Sequence, residues 1–267
     1  MTYRDLLYAV DGNVATVTLN RPERLNAISG GMLASFSEAF READHDRNVR
    51  VIILTGAGKG FCSGLDLKEQ GQNANSNSVN GQGGIGAAKF DLAGSPPIVL
   101  HQTDKPVICA LNGAAAGYGL DLALGCDIRI AADSAKLAAV FTKRGVLPES
   151  GGTWLLPRLV GWSKAAEIAF TGRVLSARDA LEAGLVSQVV PDAELMAAAR
   201  ALADEIAQNA PLAVQATKRM MRLGLEETFE ANVHHVFLQL LPLFGSKDFA
   251  EGVKAFIEKR QPAFEGR

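Results

Sequence analysis

Apolar positions follow two different spacings along the chain. Up to about residue 190, short apolar runs that predict β-strands alternate with glycine-rich turns and helices, whereas later apolar positions recur at helical spacing only. The predicted strands cover residues 6–10, 14–19, 49–55, 107–111, 126–131 and 136–138, with a hairpin at Asp11-Gly12-Asn13. The predicted helices cover residues 31–44, 162–170, 176–183, 192–208, 211–223, 225–240 and 247–259. This change predicts a mixed α/β core over residues 1–195 and a helical region over residues 196–267, used for packing or assembly.

The stretch at residues 110–131 joins a buried strand, a glycine turn and a helix of small residues. Gly113, Gly117 and Gly119 lie among alanines, so the backbone can bend sharply there and another group can come close to it. A helix that starts at Tyr118 leaves its first N–H groups without partners at the positive end of the helix dipole. These amides could hold a developing oxyanion, and a tight helix crossing that only needs small residues is the other interpretation.

A second strand runs into a glycine-rich turn at residues 56–67. A dinucleotide-binding fingerprint would need a third glycine where Phe61 stands, and a P-loop would need a hydroxyl residue after Lys59, where Gly60 stands. No serine lies at the centre of a Gly-x-Ser-x-Gly motif, which excludes a nucleophile elbow. The turn is therefore interpreted as a second source of free backbone amides.

Composition limits the class of protein. The 267 residues are 48% hydrophobic with a formal net charge of -2 and no run of Lys or Arg, which argues against nucleic acid as the main partner. The N-terminal residues do not form a signal pattern and no apolar run reaches roughly 18 residues, so we expect a cytoplasmic protein without a membrane segment. Cys62, Cys109 and Cys126 lie in apolar or glycine-rich surroundings, which favours buried, reduced thiols and implies no metal site.

One segment, residues 71–84, has low sequence complexity and almost no core-forming residues. It predicts a surface loop, which could cover a pocket or merely connect two elements. The sequence favours neither role.

Several short motifs, most of which contain glycine or asparagine, occur in order along essentially the whole chain. They are Asn20-Arg21-Pro22, Asn26-Ala27, Ile52-Ile53-Leu54-Thr55-Gly56, Phe61-Cys62-Ser63-Gly64-Leu65-Asp66-Leu67, Asn112-Gly113, Gly117-Tyr118-Gly119, Cys126-Asp127, Gly151-Gly152-Thr153 and Ala183-Gly184-Leu185-Val186. Together they resemble the enoyl-CoA hydratase/isomerase (crotonase) superfamily. The resemblance implies a spiral of ββα repeats, a helical C-terminal region that builds a homotrimer or a dimer of trimers, and an acyl-CoA substrate. Coenzyme A enters as part of that substrate, and no separate cofactor is implied.

By this resemblance, the backbone amides of Leu65 and Tyr118 form an oxyanion hole for a thioester enolate, in which each donor lowers the barrier by ~2.7–4 kcal/mol. The resemblance also implies a set of residues that contact the substrate or its CoA part. They are Arg24, Ala27, Ser63, Asp66, Phe141, Phe256 and Lys259. Arg24 lies where family members often hold the CoA phosphates, and Phe256 and Lys259 match residues that can reach a neighbouring subunit's nucleotide. A helix cap is the other interpretation of Asp66, and an ordinary amphipathic helix end that of Phe256 and Lys259.

The carboxylates decide which reaction the resemblance implies. Hydratases of the family activate water with two glutamates, and this chain has Asp121 at the first position and Phe141 at the second. Glu149, in a Pro-Glu-Ser-Gly-Gly segment, instead resembles the acidic residue of Δ3,Δ2-enoyl-CoA isomerases and of ring-opening isomerases of the phenylacetate pathway. We therefore expect Glu149 to move a proton from C2 to C4 of a 3-enoyl-CoA, while Asp121 assists or orients it.

Structural roles remain open for both carboxylates. Glu149 could cap the helix that follows, and Asp121 could be a helix N-terminal carboxylate satisfied by backbone N–H groups. Two other functions also remain open, an enoyl-CoA hydratase and a catalytically silent acyl-CoA-binding or assembly subunit.

Overall fold

A computed structural model describes residues 3–66 and 93–267. Its strands are β1 (Leu6–Asp11), β2 (Val14–Leu19), β3 (Val51–Gly56), β4 (Gly60–Cys62), β5 (Val107–Leu111), β6 (Ala114–Ala116), β7 (Ile128–Ala132), β8 (Lys136–Ala138), β9 (Val174–Ser176) and β10 (Gln188–Val190). Its helices are α1 (Gly30–His45), α2 (Pro96–Gln102), α3 (Tyr118–Gly125), α4 (Gly152–Val160), α5 (Trp162–Thr171), α6 (Ala177–Glu182), α7 (Leu195–Ala207), α8 (Pro211–Leu223), α9 (Phe229–Phe244) and α10 (Lys247–Glu258). The low-complexity segment at residues 71–84 lies outside the described residues. None of the helices within the described ranges combines the length and apolar character needed to span a bilayer.

The larger sheet has the strand order β1-β2-β3-β5-β7-β10. β1 and β2 form the predicted antiparallel hairpin, and each later strand pairs in parallel with its neighbour. β3 and β5 are buried over their full length, which is typical of strands covered on both faces. The prediction of a buried parallel strand at Val107–Leu111 is therefore confirmed.

The smaller sheet has the order β4-β6-β8-β9. β3 is followed by β4, β5 by β6, and β7 by β8, so the chain steps from the larger sheet to the smaller one before it returns through a helix. The sequence pattern does not predict β6, because three alanines have low β propensity, and β6 is held by parallel pairing with β4 and β8. This is the spiral of ββα repeats that the resemblance implies.

The two faces of the larger sheet pack against different helices. One face belongs to the main core, where Phe36 and Phe40 of α1 stack with ring centroids 4.4 Å apart. The other face is covered by α7, in which the buried residues Leu195, Ala199 and Ala203 recur every fourth position and form one apolar stripe. The spiral is thereby covered on both sides, as its continuous apolar strands require.

Several helices differ from the prediction: α2 is absent from it, and α4 and α9 differ for reasons visible in the structure. The sequence pattern does not predict α4, because Pro157 lies inside it and Gly151 and Gly161 bound it. α9 begins at Phe229 instead of residue 225, since the Thr228 hydroxyl accepts a hydrogen bond from the Ala231 N–H at 3.3 Å and caps the helix there. After β10 the chain forms only helices and turns, as predicted.

Candidate active site

The two junctions at which a strand enters a glycine turn lie side by side. Gly64 follows β4 and Gly117 precedes α3, and both have positive φ angles, 102° and 53°. A Cβ atom placed on Gly64 would lie 3.0 Å from the Ala116 carbonyl oxygen and 3.7 Å from the Tyr118 nitrogen. Glycine fits this backbone shape and this close approach without strain. The two segments that the resemblance selects for their amides are therefore neighbours in space.

A parallel bridge sets the direction of the Leu65 amide. The Ile28 N–H donates to the Gly64 carbonyl oxygen at 2.8 Å, and the Asp66 N–H donates to the Ile28 carbonyl oxygen at 3.0 Å. In such a bridge, the residue between the two bonds turns its own N–H to the opposite side. The Leu65 amide therefore points away from Ile28.

Tyr118, whose amide is the second one predicted from the resemblance, is the first residue of α3. Its N–H belongs to the first helical turn, where amides have no carbonyl partner within the helix. Gly119 allows this turn to pack closely against β4, because a Cβ atom at this position would overlap the Cys62 carbonyl oxygen. Burial raises the pKa of the neighbouring Cys62 thiol to about 12, so this sulfur is a poor nucleophile.

Two asparagine side chains hold the turn that leads to Leu65, and the sequence analysis assigns them no role. Asn26 is fully buried, and its Nδ2 donates to the Gly60 carbonyl oxygen at 2.7 Å. The Nδ2 of Asn112 donates to the same oxygen at 3.2 Å. Asn26 has a φ angle of 54°, a left-handed conformation in which asparagine is enriched, so the available signal in the sequence is the asparagine itself, four residues after Pro22.

Glu149 lies on the loop between β8 and α4, and the last part of this loop is attached to α3. The N–H groups of Ser150 and Gly152 both donate to Oδ2 of Asp121 at 3.2 Å. Asp121 is in the first turn of α3 and is only 2% exposed. The Asp121 carboxylate therefore accepts hydrogen bonds from backbone N–H groups, as the structural interpretation of this residue predicts. These N–H groups belong to the Glu149 loop and not to α3.

Both carboxyl groups are harder to ionise than in water. Burial raises the pKa of Asp121 from 3.8 to about 7, opposed by the Gly152 and Ser150 N–H groups and assisted by repulsion from Glu149. Partial burial of the Glu149 carboxyl also raises its pKa, opposed by its own backbone N–H, although the residue as a whole is exposed. A carboxylate with a raised pKa is a stronger base, which suits the removal of a proton from carbon.

Phe141 lies where the resemblance places the second glutamate of hydratases. It is 5% exposed, and its Cε1 would lie 4.0 Å from a Cβ atom placed on Gly117. The ring therefore packs beside the turn that carries the Tyr118 amide. An aromatic ring cannot take a proton from water, and its apolar surface disfavours a water molecule there.

Four other predicted contact residues belong to one compact turn region beside the Leu65 junction. The Ala27 N–H and the Ser63 hydroxyl both donate to the Arg24 carbonyl oxygen, at 3.1 and 3.3 Å. Arg21 Nη2 donates to Oδ2 of Asp66 at 3.0 Å, while the helix that Asp66 was expected to cap falls outside the described residues. The Arg24 side chain is on an exposed residue, where it is accessible to a ligand.

Phe256 and Lys259 lie at the end of α10. Phe256 is 85% exposed and borders a cavity of about 460 Å³ among α8, α9 and α10, and Lys259 ends the helix with a φ angle of 54°. Neither residue borders the apolar cavity of about 280 Å³ beside the Glu149 loop. The residues that line this second cavity include Leu147, Pro148, Gly152, Leu156, Trp162 and Phe170. Within one chain, the structure therefore does not bring Phe256 and Lys259 to this cavity.

A two-sheet spiral with paired amide turns and a helical C-terminal region defines the crotonase fold class. Residues 9–267 match the family model described as enoyl-CoA hydratase/isomerase. The chain therefore belongs to the enoyl-CoA hydratase/isomerase family and is an acyl-CoA enzyme, and the resemblance seen in the motifs is confirmed.

Individual relatives are named for different reactions. The chain is 40% identical over 265 residues to 1,2-epoxyphenylacetyl-CoA isomerase of Escherichia coli (strain K12), with 98% of each chain covered. It is 39% identical over 258 residues to (E)-benzylidenesuccinyl-CoA hydratase of Thauera aromatica, with 96% of this chain and 97% of the relative covered. The crystal structure of an enoyl-CoA hydratase from Bacillus anthracis superposes with a TM-score of 0.88 at 33% identity, covering 99% of this chain and 100% of that one. The particular reaction must therefore be argued from the site.

Proposed function

We propose that this protein is an enoyl-CoA isomerase that converts a 3-enoyl-CoA into a 2-enoyl-CoA, with Glu149 as the proton carrier. One observation carries the proposal. A carboxylate with a raised pKa lies on a loop attached to the first turn of α3, and Phe141, the residue that the resemblance matches to the second hydratase carboxylate, is a buried aromatic ring. One base is enough for a double-bond shift, whereas the hydratase mechanism uses two.

The proposed reaction needs two proton transfers and no change in oxidation state. The Glu149 carboxylate removes a proton from C2, and the electron pair of that C–H bond moves into the dienolate, whose negative charge rests on the thioester oxygen. The Leu65 and Tyr118 amides donate hydrogen bonds to that oxygen. The protonated Glu149 then returns the proton to C4, which leaves the double bond between C2 and C3. Coenzyme A takes part as the thioester of the substrate, so the proposal includes no other cofactor.

A substrate pair tests this proposal. Purified protein receives a 3-enoyl-CoA and a 2-enoyl-CoA separately, with conjugation followed by absorbance and water addition by mass. We expect turnover of the 3-enoyl-CoA only, and a loss of about 10²–10⁴-fold in kcat for Glu149→Gln. Glu182→Gln, at an exposed position at the end of α6, is the matched control and should keep full activity. Undiminished turnover in Glu149→Gln would exclude this role.

Enoyl-CoA hydratase is the second candidate function. It is favoured by Asp121 at the position of the first hydratase glutamate and by the hydratase names of several relatives. Fast addition of water to the 2-enoyl-CoA would support it and would mean that Phe141 does not exclude water. A silent acyl-CoA-binding subunit would instead retain affinity for CoA thioesters without exchange of C2 hydrogen in deuterated water.

We also propose that the chain assembles as a homotrimer or a dimer of trimers. α9 has no buried residue within the chain, and Phe229, Phe237 and Leu238 are 83%, 62% and 64% exposed. Such large apolar surfaces are typical of interfaces between subunits. Light scattering should give a mass of three or six protomers, and Phe237→Asp should lower this mass, while Glu230→Gln on the same helix should not.

In such an assembly, Phe256 and Lys259 would reach a neighbouring subunit's CoA, so Lys259→Ala should raise KM and leave kcat unchanged.

A further inference from the structure

We infer that Asp121 is a positioning residue, which acts by fixing the end of the Glu149 loop against the first turn of α3 and does not itself carry a substrate proton. The inference rests on the proposed function and sharpens it, because the family resemblance alone leaves open whether this carboxylate assists with protons or orients the base.

The attachment is short and direct. Oδ2 of Asp121 accepts the N–H groups of Ser150 and Gly152, at 3.2 Å each, and these residues lie one and three positions after Glu149. Asp121 is three residues after Tyr118, so both lie on the same face of the first helical turn. The same turn therefore supplies an oxyanion amide and holds the base, which sets the distance between them.

From residue 142 onward the loop before Ser150 is largely exposed, and the Thr142 hydroxyl ties its start to α5 by donating to the Ala169 carbonyl oxygen at 3.0 Å. All residues from 142 to 147 are exposed, Pro148 is half-buried and Glu149 is exposed, so Ser150 is the first buried residue after Phe141. Gly151 has a φ angle of 100°, which turns the chain into α4 at this point. Loss of the Asp121 acceptor would leave two buried N–H groups unpaired, and the side-chain hydrogen bond between Tyr118 and Ser150 would remain as a link from α3 to this part of the loop.

The surroundings of Asp121 also argue against direct contact with substrate. Its exposure is 2%, and Oδ2 is occupied by the two amides. Oδ1 lies so close to Gly152 that a Cβ atom placed on that glycine would overlap it. Within the described residues, both oxygens are therefore shielded by backbone of the chain itself, whereas Glu149 is on an exposed residue.

Two substitutions distinguish positioning from proton transfer. Asp121→Asn keeps an acceptor oxygen at the same place but cannot carry a proton, whereas Asp121→Leu has similar size and no acceptor. If Asp121 positions the loop, Asp121→Asn should keep kcat within about threefold. Asp121→Leu should lower kcat by about 10²-fold with little change in KM, because the base is misplaced. The acid limb of the pH profile, which reports ionisation of Glu149, should be unchanged in Asp121→Asn.

A second measurement reports on the loop without using activity. Amide hydrogen exchange at Ser150 and Gly152 should be faster in Asp121→Leu than in wild type and nearly unchanged in Asp121→Asn. The inference is overturned if Asp121→Asn is as slow as Glu149→Gln, or if exchange at these two amides is the same in all variants. Should Asp121→Leu fail to fold, Asp121→Asn still decides whether this carboxyl carries a proton, and Gly152→Ala, whose Cβ atom overlaps the Asp121 carboxylate, takes the place of Asp121→Leu as the variant that displaces the loop. If the wild type does not isomerise a 3-enoyl-CoA at all, the proposed function fails, while the exchange data still test the attachment.

Discussion

Asp121→Asn should make the stability of the protein less dependent on pH. The pKa of this carboxyl rises from 3.8 to about 7 on folding, chiefly through burial. A group with a raised pKa in the folded state favours folding only while it is protonated, so its contribution is complete below the ordinary pKa and is lost as the pH rises through the folded value. At 1.36 kcal/mol per pKa unit, the loss between pH 5 and pH 8 is about 2 to 3 kcal/mol for the wild type.

The assay is denaturant unfolding of wild type and Asp121→Asn near pH 5 and near pH 8. All samples need the same protomer concentration, because assembly would make stability depend on concentration. The free energy of unfolding of the variant, relative to wild type, should increase by about 2 to 3 kcal/mol between the two pH values. Other titrating groups are common to both proteins and cancel in the comparison.

Asp179→Asn is the control for this experiment. Hydrogen bonds from the Ser176 hydroxyl and N–H lower the pKa of the Asp179 carboxyl, so it stays ionised in the folded and unfolded states throughout this pH range. Its difference from wild type should therefore be the same near pH 5 and near pH 8. If the difference for Asp121→Asn is equally constant, or changes in the opposite direction, the reasoning about Asp121 is refuted.

Four other predictions concern the site. Gly152→Ala should lower kcat by about 10²-fold in steady-state kinetics, because the new Cβ atom would overlap the Asp121 carboxylate. Gly245→Ala is the control and should keep kcat, because the nearest neighbour of its Cβ atom would lie at 3.5 Å. Phe141→Ala should destabilise the fold by about 3–5 kcal/mol in denaturant unfolding and raise the ratio of hydration to isomerisation, and an unchanged product ratio would contradict water exclusion by the ring. Arg24→Ala should raise KM for a CoA substrate by about threefold to tenfold without a change in kcat, and should have no effect on the corresponding pantetheine thioester. The acid limb of kcat/KM should lie above pH 4.5, since the raised pKa of Glu149 keeps the base protonated to a higher pH than usual; a limb at or below that value would contradict it.

The features predicted correctly from the sequence are those that depend on local backbone chemistry. The glycine turns at Gly64 and Gly117 are local signals, because a positive φ angle is easy only for glycine. The hairpin and the buried strand at Val107–Leu111 follow from short-range apolar patterns. Such signals suffice to predict two amide sources, and the family resemblance supplied the expectation that both act on one oxyanion.

The features that the sequence does not predict depend on contacts between segments that are distant along the chain. The link from Asp121 to Ser150 and Gly152 spans about thirty residues, and no local pattern reports it. The sequence does not predict α4 for a related reason, since Pro157 indicates a helix break unless packing against α3 and α5 stabilises the helix. The roles of the site residues stay predictions until the kinetic experiments are done.

The two asparagine amides on the Gly60 carbonyl have a consequence for the order of folding. Their contacts join residues separated by 34 and 52 positions, so the turn before Leu65 acquires its final shape only after three remote parts of the chain have met. Contacts of such separation form late, because the loop-closure entropy must be overcome first. We therefore expect that, during refolding, the sheets gain their secondary structure before any catalytic activity appears.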